Sequence, residues 1–112
     1  MEDAATKTIP RLYETEEIPA ESKIIYQKWE LPQIGFYWLI AELDQKEQIA
    51  FGYANLNDDA FAEWGYISIS ELEENNAVKC HTWQPCTFAV AQERMQKRRQ
   101  YRANSIHLGR HN

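Results

Sequence analysis

Three groups of side chains in this chain could do chemistry, and each has a plainer explanation beside it. Cys80, Cys86, His107 and His111 give the pattern C-x5-C-x20-H-x3-H. Zinc takes four N or S ligands in a tetrahedron, and histidines four apart on a helix can supply two of them. A two-Cys, two-His finger, however, wants C-x2-4-C and about 12 residues before its first histidine. Gly109 also interrupts a helical display of His107 and His111. The spacing argues against zinc, and a buried cysteine pair followed by a polar tail accounts for the same residues.

The second group is acidic. Glu42, Asp44, Asp58, Asp59 and Glu63 fall near the ends of neighbouring strands in the reading set out below. If Glu42, Asp44 and Asp58 converged, they would hold Mg²⁺ for phosphoryl chemistry. That makes a metal-dependent hydrolase or nuclease the alternative reading. Asp58 and Asp59 are equally what a turn uses to bond its own backbone.

The third group is basic: Arg94, Lys97, Arg98, Arg99 and Arg102, with Tyr101 among them. Five cations within nine residues suit phosphate neutralisation, and the tyrosine suits stacking on a base. The plainer account is a solvated helix end whose arginine stems cover apolar surface, or a stripe that docks on acid elsewhere. The acid is at hand: residues 1–76 hold 5 Lys/Arg against 16 Asp/Glu, and residues 77–112 hold 7 against 1. The formal net charge of −5 conceals this division. An acidic protein partner, a neighbouring copy of the chain, or the chain's own arm around Glu14, Glu16, Glu17 and Glu21 would satisfy the stripe as nucleic acid would.

Motif-defined catalysis finds no foothold. There is no P-loop, dinucleotide glycine pattern, H-E-x-x-H or G-x-S-x-G. His81 adjoins Cys80, but neighbours on a strand point to opposite faces. No cofactor is implied, and a non-enzymatic protein is the expectation.

The elements that must position these groups are those of one small domain. The 112 residues, 44% of them hydrophobic, suffice for one core and not two. The longest apolar run, Phe36 to Ala41, is far short of a membrane span. With no apolar leader and only two cysteines, a cytoplasmic setting is expected. Residues 1–22 read as an acidic arm with a helical turn near Arg11 to Glu16, residues 23–103 as an α+β domain, and residues 104–112 as a flexible tail.

Within the domain, Lys23 to Glu30 reads as a first strand. Phe36 to Leu43, apolar on both faces, reads as a central one. Phe51-Gly52-Tyr53 and Trp64-Gly65-Tyr66 then form a hairpin whose symmetry sets its register. Gly52 faces Gly65, Tyr53 faces Trp64, and Phe51 faces Tyr66, so four rings share one sheet face. That face reads as core, covered by the last helix through Phe88 and Met95, with Trp38 and at least two of the four rings largely buried. An exposed base-stacking platform is the other possibility. Ser70 with Glu73 matches a capping box for a short helix over Glu71 to Glu74. Val78 to Trp83 reads as an edge strand, and Thr87 caps a helix from Phe88 to about Arg102. The fold expected is an antiparallel meander of four to five strands, with a short helix after strand four and a C-terminal helix.

Several pieces occur together in order: Pro10-Arg11-Leu12-Tyr13, Lys28-Trp29, Trp38 with Glu42, Phe51-Gly52-Tyr53, and Gly65-Tyr66-Ile67-Ser68 leading to Glu71-Leu72. On these the chain resembles the domain of unknown function 2958 family over roughly residues 10–72. The resemblance implies a shared α+β fold and a mobile-element context, and it transfers no activity. It does not extend to the basic helix. The function expected is that of an accessory or binding protein of a mobile element, contacting nucleic acid through that helix, as a monomer or homo-oligomer.

Overall fold

The computed structural model describes residues 9–109, and side chains as far as Arg98. Its centre is a five-stranded antiparallel sheet built from β2 (Gln27–Leu31), β3 (Phe36–Asp44), β4 (Ile49–Leu56), β5 (Glu63–Ser68) and β6 (Val78–Lys79), in the order β5-β4-β3-β2-β6. β3 lies in the middle, as its two apolar faces require. With the short helix α1 (Ile69–Glu74) and the C-terminal helix α2 (Phe88–Gly109), the class is α+β.

The hairpin register is the one the paired triplets dictate: Phe51 opposite Tyr66, Gly52 opposite Gly65 and Tyr53 opposite Trp64. Its loop is organised by Asn55, which is buried. Asn55 Nδ2 donates to Tyr37 Oη at 3.2 Å and to Asp59 Oδ1 at 2.8 Å, while its Oδ1 accepts from Asp58 N at 3.0 Å. The Asn/Asp content of this loop is thereby spent on backbone and side-chain geometry.

The sheet buries both faces. On one, Ile9, Trp29, Ile40, Leu43, Ala50 and Ile67 pack with Ile69 and Leu72 of α1. On the other, Ile25, Tyr37, Leu39, Ala41 and Tyr53 meet Phe88, Ala91 and Met95 of α2. The i, i+3, i+7 spacing of those three helix residues places them along one stripe. A two-stranded antiparallel ladder, β1 (Ile24–Ile25) with β7 (Cys86–Thr87), ties the start of the domain to the start of α2. Phe88 N adds a bond to Lys23 O at 2.8 Å.

Several elements depart from the sequence reading. The first strand is two, β1 and β2, parted at Tyr26, whose N–H bonds Ile40 O. The edge strand is confined to Val78–Lys79. The helical turn expected near Arg11 to Glu16 is a run of successive turns over 12–17. The cap of α1 is Ser68, whose Oγ accepts from Glu71 N at 3.2 Å. Ser68-x-x-Glu71 offers the same box as Ser70-x-x-Glu73, and the strand ends at Ser68, so the earlier serine is the one in extended conformation. Thr87 caps α2 through Val90 N at 3.3 Å. That helix runs on to Gly109, because no glycine or proline intervenes after Arg102. Residues 104–109 of the expected tail are therefore helical, and residues 110–112 lie outside the described ones.

The pairing of β3 with β4 slips by one residue between Ile40, opposite Gly52, and Glu42, opposite Phe51. This bulge at Ala41 turns Glu42 onto the face shared by Phe51 and Tyr53.

Candidate functional site

The aromatic ladder is graded along its length. Tyr53 is buried against Phe88 with ring centroids 4.7 Å apart, and Trp64 touches the same phenylalanine at 4.8 Å. Phe51 stacks on Trp64 at 5.6 Å and meets Tyr66 at 5.5 Å. Burial then runs out: Phe51 and Trp64 are half-buried and Tyr66 is 60% exposed. Of the four rings only Tyr53 is fully inside, and Trp38 is half-buried as well. The expectation of at least two largely buried rings holds for Tyr53, Trp64 and Phe51, with Trp38 beside them, while Tyr66, beyond the reach of Phe88, stays exposed.

At the uncovered end the acidic arm comes down onto the sheet. Glu42, only 3% exposed, is its anchor. Glu42 Oε1 accepts from Tyr13 N at 2.8 Å, and Oε2 accepts from Thr15 N at 3.0 Å and from Thr15 Oγ1. Lys23, also buried, donates through Nζ to Thr15 O and to Thr15 Oγ1 at 2.9 Å. A buried carboxylate keeps its place when its lone pairs are met by donors, as these are. Holding Tyr13 and Thr15 on one carboxylate puts Tyr13 at φ 74°, a left-handed conformation uncommon for a bulky residue.

Between this turn and the hairpin lies a cleft of about 260 Å³ lined by Tyr13, Glu16, Lys23, Glu42, Phe51 and Tyr66. The Tyr13 and Tyr66 rings stand edge to face, 6.3 Å apart. The Tyr66 hydroxyl is pushed above its ordinary value, first by its hydrogen bond with the Tyr13 side chain and further by the nearby charges of Glu42 and Glu16. Lys23 Nζ sits 6.0 Å from the Phe51 centroid.

Glu42, Asp44 and Asp58 do not come together. Glu42 is taken up by the arm. Asp44 Oδ1 accepts from Lys46 N at 3.0 Å and Glu47 N at 3.1 Å in the β3–β4 turn. Asp58 Oδ1 accepts from Ala60 N at 3.1 Å in the β4–β5 loop. Asp44 faces the first residue of the eight-residue β4 and Asp58 follows its last, so the strand's length, about 26 Å at its usual rise, separates them. Among the described residues no three His, Cys, Asp or Glu side chains are grouped to hold a metal ion.

Cys80 and Cys86 are free thiols. The hydrogen bond between Cys80 Sγ and the Thr82 hydroxyl, 3.4 Å, is the first cause that lowers the Cys80 pKa, and Lys28 adds to it. Burial raises that of Cys86. The His107 and His111 side chains lie outside the described ones.

The described cations of the basic stripe are engaged at home. Arg94 lies over the Trp83 ring, 5.6 Å from its centroid, and Nη1 donates to Cys86 Sγ at 3.4 Å. Lys97 pairs with Glu93 at 3.2 Å on the same exposed helix face. Arg98 Nη1 donates to Glu30 Oε2 at 2.9 Å, and the same carboxylate lies 3.8 Å from Lys28 Nζ. Among the described residues, the acidic side chain that meets the stripe from outside its own helix is thus Glu30 of β2. The side chains of Arg99, Tyr101 and Arg102 lie outside the described ones.

Sequence reasoning missed Tyr13, Thr15 and Lys23 as partners of Glu42. A lone lysine before a strand and a tyrosine in a turn carry no periodic signal, and only the bulge at Ala41 aims Glu42 at them. No helix among the described residues is long and apolar enough to cross a membrane. Comparison of the chain with known protein families, curated proteins and solved structures gave no match.

Proposed function

We propose that this is a non-enzymatic binding protein that engages nucleic acid through the distal half of α2. The observation that carries the reading is the length of that helix. Met95 is its last residue in the core among the described side chains, yet the helix continues to Gly109. The positions three, four and seven beyond Met95, where the core stripe would continue, are Arg98, Arg99 and Arg102. A helix that served the core alone gains nothing by extending a stripe of arginine past it. Phosphate is the chemistry such a stripe suits. Arg94 and Arg98 hold the root of the stripe on the body, Lys97 is paired with Glu93 on the helix itself, and Arg99, Tyr101 and Arg102 are the residues proposed to reach the polyanion.

The separation of the spent carboxylates supports a binding role over the metal-dependent hydrolase. The accessory role in a mobile element rests on the likeness of residues 10–72 to the domain of unknown function 2958 family.

The test is fluorescence anisotropy of labelled single-stranded DNA and RNA against the full chain across a salt series. With about four phosphates neutralised, log K against log salt should fall with a slope near −3, from about −0.7 per phosphate. R99A with R102A should flatten it by roughly 1.4, with α2 still helical by circular dichroism. Absence of salt-sensitive binding at low ionic strength would overturn the reading.

A further inference from the structure

The cleft adjoins the sheet's open edge at β5, the opposite side of the sheet from β2, where Arg98 of α2 meets Glu30. β5 is the outermost strand, with six residues and no strand partner on its outer side among the described residues. Natural edges are blunted by proline, lysine, a bulge or a covering element. The strand Glu63-Trp64-Gly65-Tyr66-Ile67-Ser68 contains no proline or lysine, and its pairing with β4 runs without a register shift. Its unpaired N–H and C=O groups can therefore take an added strand.

The cleft beside that edge selects what the added strand carries. Its walls are the Tyr13, Phe51 and Tyr66 rings, and its charged groups are the Glu16 and Glu42 carboxylates and the Lys23 ammonium. Two carboxylates against one ammonium leave it net negative, and ring faces attract cations. Phe51 already has Lys23 Nζ near its face. An anion is disfavoured, because Lys23 is directed to Thr15 and the arm overhead carries Glu14, Glu16, Glu17 and Glu21. Glu42 is saturated by the arm and supplies field only, whereas Glu16 is exposed and able to meet a ligand.

We infer that the β5 edge and this cleft bind an extended basic peptide segment of a partner protein, added to the sheet as a sixth strand with a Lys or Arg side chain inserted between Tyr13, Phe51 and Tyr66. In an added strand alternate side chains share a face, so one residue beside Tyr66 enters the cleft while its neighbours do not. A second copy of this chain is a poor occupant. Two β5 edges joined antiparallel bring no Lys or Arg to either cleft, since Glu63–Ser68 contains none, and the chain's basic segment through Gly109 is helix, not strand.

The probe is a fluorescein-labelled ten-residue peptide of alternating Thr and Val with Lys at one central position, and its analogue with Glu there. Anisotropy gives affinity, and backbone amide shifts of the full-length protein locate the site. The Lys peptide should bind, the Glu peptide should bind at least tenfold more weakly, and the shifts should fall on 64–67 and on the cleft. Y66A and E16Q, at exposed positions that leave the core intact, should each weaken the Lys peptide by about tenfold.

Four results would overturn the inference: no binding at millimolar peptide, equal binding of the two peptides, shifts confined to α2, or concentration-dependent pairing of the protein through β5 that excludes the peptide. If tetramethylammonium shifts the cleft residues and the Lys peptide leaves the β5 amides unmoved, the strand-addition proposal falls. Neither arm involves Arg99 or Arg102, so failure here leaves the nucleic-acid reading standing, and the reverse holds.

Discussion

Gly52 and Gly65 face one another across β4 and β5, yet replacing them by alanine should give opposite results. A Cβ at Gly52 would lie 2.1 Å from Leu39 O, 3.0 Å from Leu39 C and 3.1 Å from Ile40 Cα, all backbone atoms of β3 beside the bulge. An ordinary contact begins near 3.4 Å, so the Leu39 peptide or β4 must move by about 1.3 Å. A ladder bond of about 2.9 Å does not survive such a displacement. Losing two such bonds costs about 1–3 kcal/mol, and forcing atoms into packed space adds about 1–3 kcal/mol. G52A should therefore lose about 2–6 kcal/mol, a large fraction of the stability a domain of this size commands.

At Gly65 a Cβ meets nothing within 4 Å. G65A should match wild type or gain about 0.4–1 kcal/mol by restricting the unfolded chain. Urea unfolding followed by tryptophan fluorescence reads both. With an m of about 2 kcal/mol/M, the G52A midpoint should fall by about 1 M or more and the G65A midpoint should hold or rise. A loss below about 1 kcal/mol for G52A, or equal losses at both sites, would refute the steric argument.

F88A should cost roughly 3–5 kcal/mol in thermal or urea unfolding, because Phe88 joins Tyr53 and Trp64 to α2. A cost near zero would mean that α2 does not cover this face. E42Q keeps the shape of Glu42 but loses acceptor capacity, so it should cost about 1–3 kcal/mol and speed amide exchange at Tyr13 and Thr15, while D44N leaves those amides unchanged. S68A should lose about 0.5–2 kcal/mol as a lost cap and S70A should stay within about 0.5 kcal/mol, the comparison of unfolding midpoints deciding which serine caps α1. Only the thiolate is alkylated. The Cys80 pKa is lowered below 9.0 and that of Cys86 raised above it, so the rate for Cys80 with iodoacetamide should climb at lower pH. Peptide mapping that shows Cys86 reacting first would contradict the assigned surroundings.

What could be read from the sequence follows from how far each signal repeats. The hairpin register was legible because two aromatic-glycine-aromatic triplets constrain it at three positions at once, and a slip would invert every ring. The central place of β3 was legible because Tyr37, Leu39 and Ala41 alternate with Trp38 and Ile40, leaving no polar face. The destination of Glu42 was not, since nothing in Ile40-Ala41-Glu42 marks a bulge, and one extra residue moves the carboxylate to the other face. The β1–β7 ladder was not either: two residues are too few for periodicity, and the partners are distant in sequence. The basic stripe was plain as composition, but its tie to Glu30 depends on where the sheet places β2 against α2.

The β1–β7 ladder also governs when this chain can fold as it is made. Ile24 is paired with Thr87, 63 positions later, and the cover for Ile25, Leu39 and Tyr53 comes from Phe88, Ala91 and Met95. At about 5–20 residues per second, a ribosome takes roughly 3–13 s to span that interval. Over the 27 residues from Ser68 to Met95, roughly 1–5 s at that rate, the hairpin exists without its lid, presenting Phe51, Tyr53 and Trp64 beside an open strand edge. Closure waits on the synthesis of Phe88 to Met95, so synonymous codons that slow synthesis between 69 and 95 should lower soluble yield without changing one residue of the finished molecule.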